Sequence, residues 1–308
     1  MLRLLSNQDI QLKILIFIFT PDINQMQSKN FTIRVMTRAD VDTAIEWAAL
    51  EGWNPGLYDA ECFYQADPNG FLIGLLEGVP IAAISAVKYS DDFGFLGFYM
   101  VRSGFRGMGY GLQIWNAGMA YLKGCTIGLD GVIAQQENYR KSGFNLAYRN
   151  IRYQGSGGGN LPADPGILPL SMVPFDELCR YDRLFFPADR AAFLKCWINQ
   201  PQSTAVGRLQ NGRLSGYGLI RTCRTGHKVG PLFADTPEMA EQLFAALKAN
   251  VPEGSPVFID IPETNPDAIS LVNRHTMTPS FETARMYTGI TPELPVDRIF
   301  GVTSFELG

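Results

Sequence analysis

Arg106, Gly107, Gly109 and Gly111 give the order Arg-x-x-Gly-x-Gly between an alternating apolar run, Phe93–Val101, and a helical pattern from Leu112 to Lys123. Strand, glycine-rich turn and helix in succession present bare backbone N–H groups. A helix N-terminus has unpaired donors and the positive end of the helix dipole, so this spacing points to an anion such as phosphate. The glycines let a ligand approach the backbone closely. Two common nucleotide loops do not fit. No Lys-Ser/Thr follows, as an ATP loop needs, and the order is not Gly-x-Gly-x-x-Gly with an acidic residue about 20 positions on. Elsewhere, Asp260 ends an apolar run at the position where open α/β sheets take ligands. Arg285 and Tyr287 share one face of the last strand by period-two spacing. An Asp260–Arg285 ion pair that merely ties strands together is the plainer use of those charges.

The elements that must position these residues follow from periodicity. Residues 31–36 read as a strand. Val41, Ala44, Ile45 and Ala48 recur at helical spacing, so the pattern predicts a helix over Arg38–Glu51, with Asp40 near its start. Gly52–Gly56 is a loop, with Trp53 as an aromatic that could cover a site. A short helix follows at about Tyr58–Ala66. Phe71–Leu76 and Ile81–Tyr89 form a hairpin around Glu77–Pro80. Phe93–Val101, the glycine loop and its helix come next. A strand at Thr126–Leu129, a helix at Gln135–Ser142 and a strand at Phe144–Tyr153 complete the first half. Gln154–Pro162 has the composition of a flexible connection. The expected division is 31–154, a linker 155–166, and 167–308.

With the elements in order, Val101–Gly111 resembles the acetyl-CoA loop of the GNAT acetyltransferase superfamily, whose signature is Arg/Gln-x-x-Gly-x-Gly/Ala. Thr32–Asp40 is similar to that family's opening strand and first helix cap. Asn138–Phe144 is similar to its closing Tyr-x-x-x-Gly-Phe element. The resemblance covers residues 31–154. It implies that acetyl-CoA is the co-substrate and that Arg106, Gly107, Met108, Gly109, Tyr110 and Gly111 hold its pyrophosphate. It implies that the backbone of Tyr99, Met100 and Val101 holds the pantetheine arm and polarises the thioester. Tyr139 falls where the family often places the acid that protonates the departing thiolate, a role a phenol can fill. Asn138 could hydrogen-bond the cofactor. The base stays open among Glu51, Glu61, Asp91, Asp92, Asp130 and a chain of waters. Trp53, Asp130, Asp260, Arg285 and Tyr287 are the residues expected to bind the acceptor.

The second half repeats the plan. Asp176–Phe185 and Asp189–Asn199 read as helices. Ala205–Leu209 and Leu214–Arg221 flank an Asn211-Gly212 hairpin turn. Strands are expected at His227–Phe233, Val257–Ile261 and Thr283–Thr288, with helices at Pro237–Asn250 and Asn265–Asn273. The counterpart of the glycine loop, Pro231–Pro237, puts Asp235 ahead of its helix, where it would repel a pyrophosphate. This half reads as a degenerate repeat without a cofactor loop. It resembles the C-terminal domain that follows certain bacterial GNAT domains.

The chain has 308 residues, 46% hydrophobic and 18% charged, with net charge −4. That composition supports packed globular domains and argues against a nucleic-acid partner. Five scattered cysteines and two histidines give no zinc spacing, so no metal is expected. Dispersed cysteines suggest reduced thiols and a cytoplasmic location. Leu12–Phe19 is apolar but falls short of the roughly 20 residues that span a bilayer, so no membrane partner is expected. Residues 1–30 read as an extension, with Met26 as a possible true start. The expected fold is α/β with a mixed sheet: two tandem GNAT-like domains, each a mostly antiparallel sheet flanked by helices. The expected activity is direct N-acetylation of a small-molecule amine bound between the halves, by a monomer or homodimer. Acetylation of a protein amine and non-catalytic acyl-CoA sensing are the alternatives.

Overall fold

A computed structural model describes residues 30–308. The leading extension, its apolar stretch and Met26 lie outside the described residues. In the first half, β1 (Phe31–Val35), β2 (Phe71–Leu76), β3 (Val79–Lys88) and β4 (Phe93–Val101) form an antiparallel meander. Helix α1 (Arg38–Leu50) starts at a capping box. The Thr37 side chain accepts from Asp40 N, and Asp40 accepts from Thr37 N (2.8 Å). Its stripe of Val41, Ala44, Ile45 and Ala48 is buried as the spacing predicts. Helix α2 (Asp59–Ala66) follows, then α3 (Tyr110–Tyr121) after the glycine loop. β5 (Thr126–Val132) runs parallel to β4, and α4 (Gln136–Lys141) leads into β6 (Phe144–Ser156).

The second half contributes β7 (Ile167–Pro169), α5 (Phe175–Asp182), α6 (Ala191–Trp197), β8 (Ser203–Gln210), β9 (Arg213–Thr222) and β10 (His227–Ala234). Then come α7 (Pro237–Lys248), β11 (Pro256–Pro262), α8 (Pro266–Arg274), β12 (Thr278–Thr288) and β13 (Ile299–Gly301). The mixed α/β tandem architecture is as expected. Its two sheets, however, are joined edge to edge into a single 13-stranded sheet. β12, from the end of the chain, lies between β5 and β6. β6, from the first half, lies between β12 and β11. Each half thus passes its last long strand to the other. Gly155 and Ser156, placed in the linker by composition, are paired with Val257 and Pro256. Ala284 and Met286 of β12 pack with Ile114, Trp115 and Phe144 in the first half's core. On the other face α2 meets α6. Phe63 stacks on Trp197 at 5.8 Å, and the Cys62 and Cys196 sulfurs are 2.6 Å apart as free thiols. No helix among the described residues is long and apolar enough to cross a membrane.

Candidate active site

β4 and β5 pair only from Phe93 to Leu96 against Thr126 to Leu129. Beyond that they part. The cause is local: the β3–β4 register shifts between Ala83 and Ser85, with one extra residue on β4, and Phe98 takes φ +46°. A bulge bends its strand away from a neighbour. The backbone edge of β4 from Gly97 to Val101 is therefore left without a β5 partner. A cavity of about 540 Å³ opens there, lined by both strand ends, by Trp115 and Tyr139, and by Trp53.

The glycine loop forms the mouth of this cavity. Gly107 (φ +78°) and Gly109 (φ +84°) use the left-handed conformation, and nothing lies within 4 Å of where their side chains would be. Gly109 caps α3 without a side-chain bond. The N–H groups of Gly107 to Leu112 have no acceptor among the described residues. That is the donor set an anion needs. Arg106 braces the loop: its Nε donates to Val101 O (2.7 Å), and Nη2 pairs with Glu51 beyond the end of α1. A side chain at Gly111 would come within 2.8 Å of Tyr99 Oη, so one of the two would have to shift.

Tyr139 is buried on the cavity wall. Its ring stacks on Trp115 at 5.6 Å, and Trp115 meets Tyr99 edge-on at 5.2 Å. Gly131 leaves room for the Tyr139 ring, which a side chain there would overlap. Burial, with the nearby Tyr99 in second place, pushes the Tyr139 phenol above its ordinary range. Burial alone raises that of Tyr99.

Of the residues expected to hold the cofactor, Tyr99, Met100, Val101, Arg106, Gly107, Gly109 and Gly111 line the cavity. Three do not. Met108 points to solvent, Tyr110 packs on Phe31 at 4.8 Å, and Asn138 donates to Gln135 (2.7 Å) on the exposed side of α4. Gln135 lines the cavity in its place.

The expected acceptor residues divide similarly. Trp53 and Asp130 reach the cavity; Asp260, Arg285 and Tyr287 do not line it. The Asp260–Arg285 pair does not form. Arg285 instead holds Asp130 (2.8 and 2.6 Å), which also accepts from Asn150 (2.8 Å). Asp260 is held by Arg152 (2.6 and 2.8 Å). The reason is the strand exchange: β6 separates β11 from β12 and brings its own arginine. Burial would raise the Asp260 carboxyl, but Arg152 outweighs it and holds the group below the usual aspartate range. Tyr287 is buried beside Phe95. Among the acids considered as base, Glu61 pairs with Arg38, Asp91 with Lys88, and Asp92 accepts from Ser90. None of these three lines the cavity; Glu51 does. Thr283, Phe281, Phe305 and Glu306 also line it. No spacing flagged them, because the folds of β12 and of the last segment bring them in.

The second half has the same parted strands, filled. β10 and β11 pair in parallel only over His227–Val229 and Val257–Ile259. β13 then runs beside β10, and Val302 N donates to Asp260 O (2.8 Å) on β11. Asp235, ahead of α7, is paired with Arg298 and accepts from Tyr181 Oη (2.7 Å). Where the first half has a cavity and free N–H groups, the second has strand and ion pair. No cluster of metal-ligating side chains occurs among the described residues.

Known proteins agree with this architecture. Residues 38–144 match the acetyltransferase (GNAT) family, and residues 178–301 match an acetyltransferase (GNAT) domain. The holothin acyltransferase of Pseudoalteromonas sp. SANK 73390 is 34% identical over 263 residues, spanning 85% of this chain and 90% of that protein. A Pyrococcus horikoshii structure assigned to the acetyltransferases superposes with a TM-score of 0.78 at 22% identity, over 94% of this chain and 100% of the other. A tandem GNAT protein from the clavulanic acid biosynthesis pathway gives 0.60 at 13% identity, over 86% and 100%. The chain belongs to the GNAT acetyltransferase superfamily, as a tandem two-domain acyltransferase.

Proposed function

We propose that the first half binds acetyl-CoA and that the acetyl group passes directly to the amine of a small molecule held between the halves. The observation that carries this reading is the junction of two features. Parted strands expose the β4 backbone edge, and unpartnered N–H groups at the end of the same strand suit a pyrophosphate. The Gly97–Val101 backbone supplies donors for the pantetheine arm and for the thioester oxygen. Tyr139, protonated throughout the neutral range, supplies a proton to the departing sulfur. Positioning of two bound reactants does much of the rest. The aromatic walls of Trp53, Phe281 and Phe305 suit a compact acceptor with an apolar body. The similarity to an acyltransferase named for holothin favours a small molecule over a protein amine.

Calorimetric titration of acetyl-CoA into the full chain tests this reading. One site is expected in the wild type and none in Gly109→Glu, whose added bulk and charge meet the pyrophosphate. The open space around Gly109 means that the variant's fold should survive, although φ +84° strains any side chain. Unchanged binding in the variant would show that the loop holds no phosphate. Holothin and a set of small primary amines, each supplied with acetyl-CoA, then test the transfer itself.

A further inference from the structure

Beyond β13 the chain stays in the core: residues 301–308 are all buried. This segment runs from the filled opening of the second half to the open one of the first. Two glycines let it through. A side chain at Gly230 on β10 would overlap the carbonyls of Val302 and Thr303. One at Gly97, on the β4 bulge, would overlap the backbone of Glu306. Tyr89 Oη donates to Leu307 O (3.0 Å) just beyond. Glu306 thereby lines the cavity where β4 and β5 part.

Glu306 differs from the other acids of the cavity. Glu51 is occupied by Arg106, and Asp130 by Arg285 and Asn150. Glu306 is only 5% exposed, yet no described residue donates a hydrogen bond to its carboxylate. Three cations, Arg152 on β6, Arg221 on β9 and Lys228 on β10, feel its charge. Each is committed elsewhere. Arg152 holds Asp260 and Trp53 O, Arg221 holds Asp59, and Lys228 donates to the carbonyls of Trp53 and Asn54. Arg152 and Arg221 are matched by their two aspartates, and burial, with Arg152 beside it, lowers the Lys228 pKa, so Glu306 has no direct pair among the described residues. A buried carboxylate with free lone pairs suits a charged donor, and an ammonium is one. Thr283 lines the same cavity, and its buried hydroxyl has no hydrogen-bond partner among the described residues.

We infer that Glu306 receives the ammonium of the acceptor and takes its proton, an inference that rests on the acetyl-transfer reading above. One proton passes from R–NH3+ to the carboxylate and leaves R–NH2. The nitrogen lone pair forms the C–N bond to the thioester carbon, and the C–S bond breaks. The sulfur gains a proton from Tyr139, the nitrogen sheds its second proton to solvent, and solvent reprotonates Tyr139. Glu306 returns its proton to water when the amide leaves.

The test compares the full-length wild type, Glu306→Gln and Glu306→Asp, using the amine that the wild type acetylates fastest. Acetyl-CoA affinity, measured by calorimetry, reports the fold and the loop. Glu306→Gln is expected to keep that affinity, to lose roughly 100-fold in kcat/KM at neutral pH, and to lose the fall in rate on the acid side of the wild-type profile. Glu306→Asp, which keeps the charge, should recover part of the rate together with that acid limb. A role confined to charge balance would leave the acid limb in place in Glu306→Gln, and that result overturns the inference. So does wild-type turnover in Glu306→Gln. A wild type that binds acetyl-CoA but acetylates no amine overturns the transfer reading first, and the role of Glu306 with it.

Discussion

Tyr139, the proton donor proposed above, is held tightly on the cavity wall. Trp115 covers one part of its ring and the bare Cα of Gly131 makes room for another, so the phenol is fixed and largely dry. Burial raises its pKa, which keeps the proton on oxygen throughout the neutral range. Tyr139→Phe removes only the hydroxyl. The expected outcome is unchanged acetyl-CoA affinity with kcat lowered by roughly 100-fold, read from steady-state kinetics beside calorimetry. A variant with wild-type kcat would assign the proton to water instead. The loop glycines and Tyr139 were legible because their types recur at a fixed spacing. Glu306 was not: nothing around it in sequence sets it apart from an ordinary surface glutamate.

At the scale of elements, the start of α1 is fixed by a few neighbouring residues. Thr37 and Asp40 satisfy each other's backbone N–H groups, and Arg34 forms a pair with Asp40 (2.7 Å). The Arg34 hydrogen bond, helped by Thr37, lowers the Asp40 carboxyl from the ordinary 3.8 to about 2. A depressed folded-state pKa gives stability that is fully present above the unfolded value. That contribution is lost as pH falls from about 4 through about 2. Thr37→Ala should cost about 1 kcal/mol, read as a lower urea midpoint. Asp40→Asn should flatten the acid side of the stability curve over that window; an identical pH dependence in wild type and variant would remove Asp40 from the balance. The capping box and the buried stripe of α1 follow from local sequence, and so does the hairpin of β8 and β9. β7 and β13 do not. Each is three residues long and is held by distant partners, so no local period announces it.

Over the whole molecule, exchange of β6 and β12 ties the halves together. Removing either half would expose edges of β5, β6 and β11 that are paired with the other half. It would also take Ala284 and Met286 from the core around Trp115. Two domains connected only by a flexible linker would unfold separately. This chain should unfold in one cooperative step, with coincident urea transitions by tryptophan fluorescence and far-ultraviolet circular dichroism. Two separated transitions would mean that the shared sheet contributes little. The exchange also shapes the cavity. It brings Phe281 and Thr283 to a cavity whose loop and floor belong to the other half.

The sequence by itself determined the order of the longer elements, the α/β class, the tandem plan and the glycine loop ahead of a helix. All of these depend on periodicity or on residue types a few positions apart, which local sterics and hydrogen bonding enforce. The tertiary structure decided which arginine meets which aspartate, how two sheets become one, and which acids line the cavity. Those outcomes depend on pairing between strands more than a hundred residues apart. Asp130 with Arg285 and Asp260 with Arg152 are separated by 155 and 108 positions. Only the β-sheet register that joins them sets their distances.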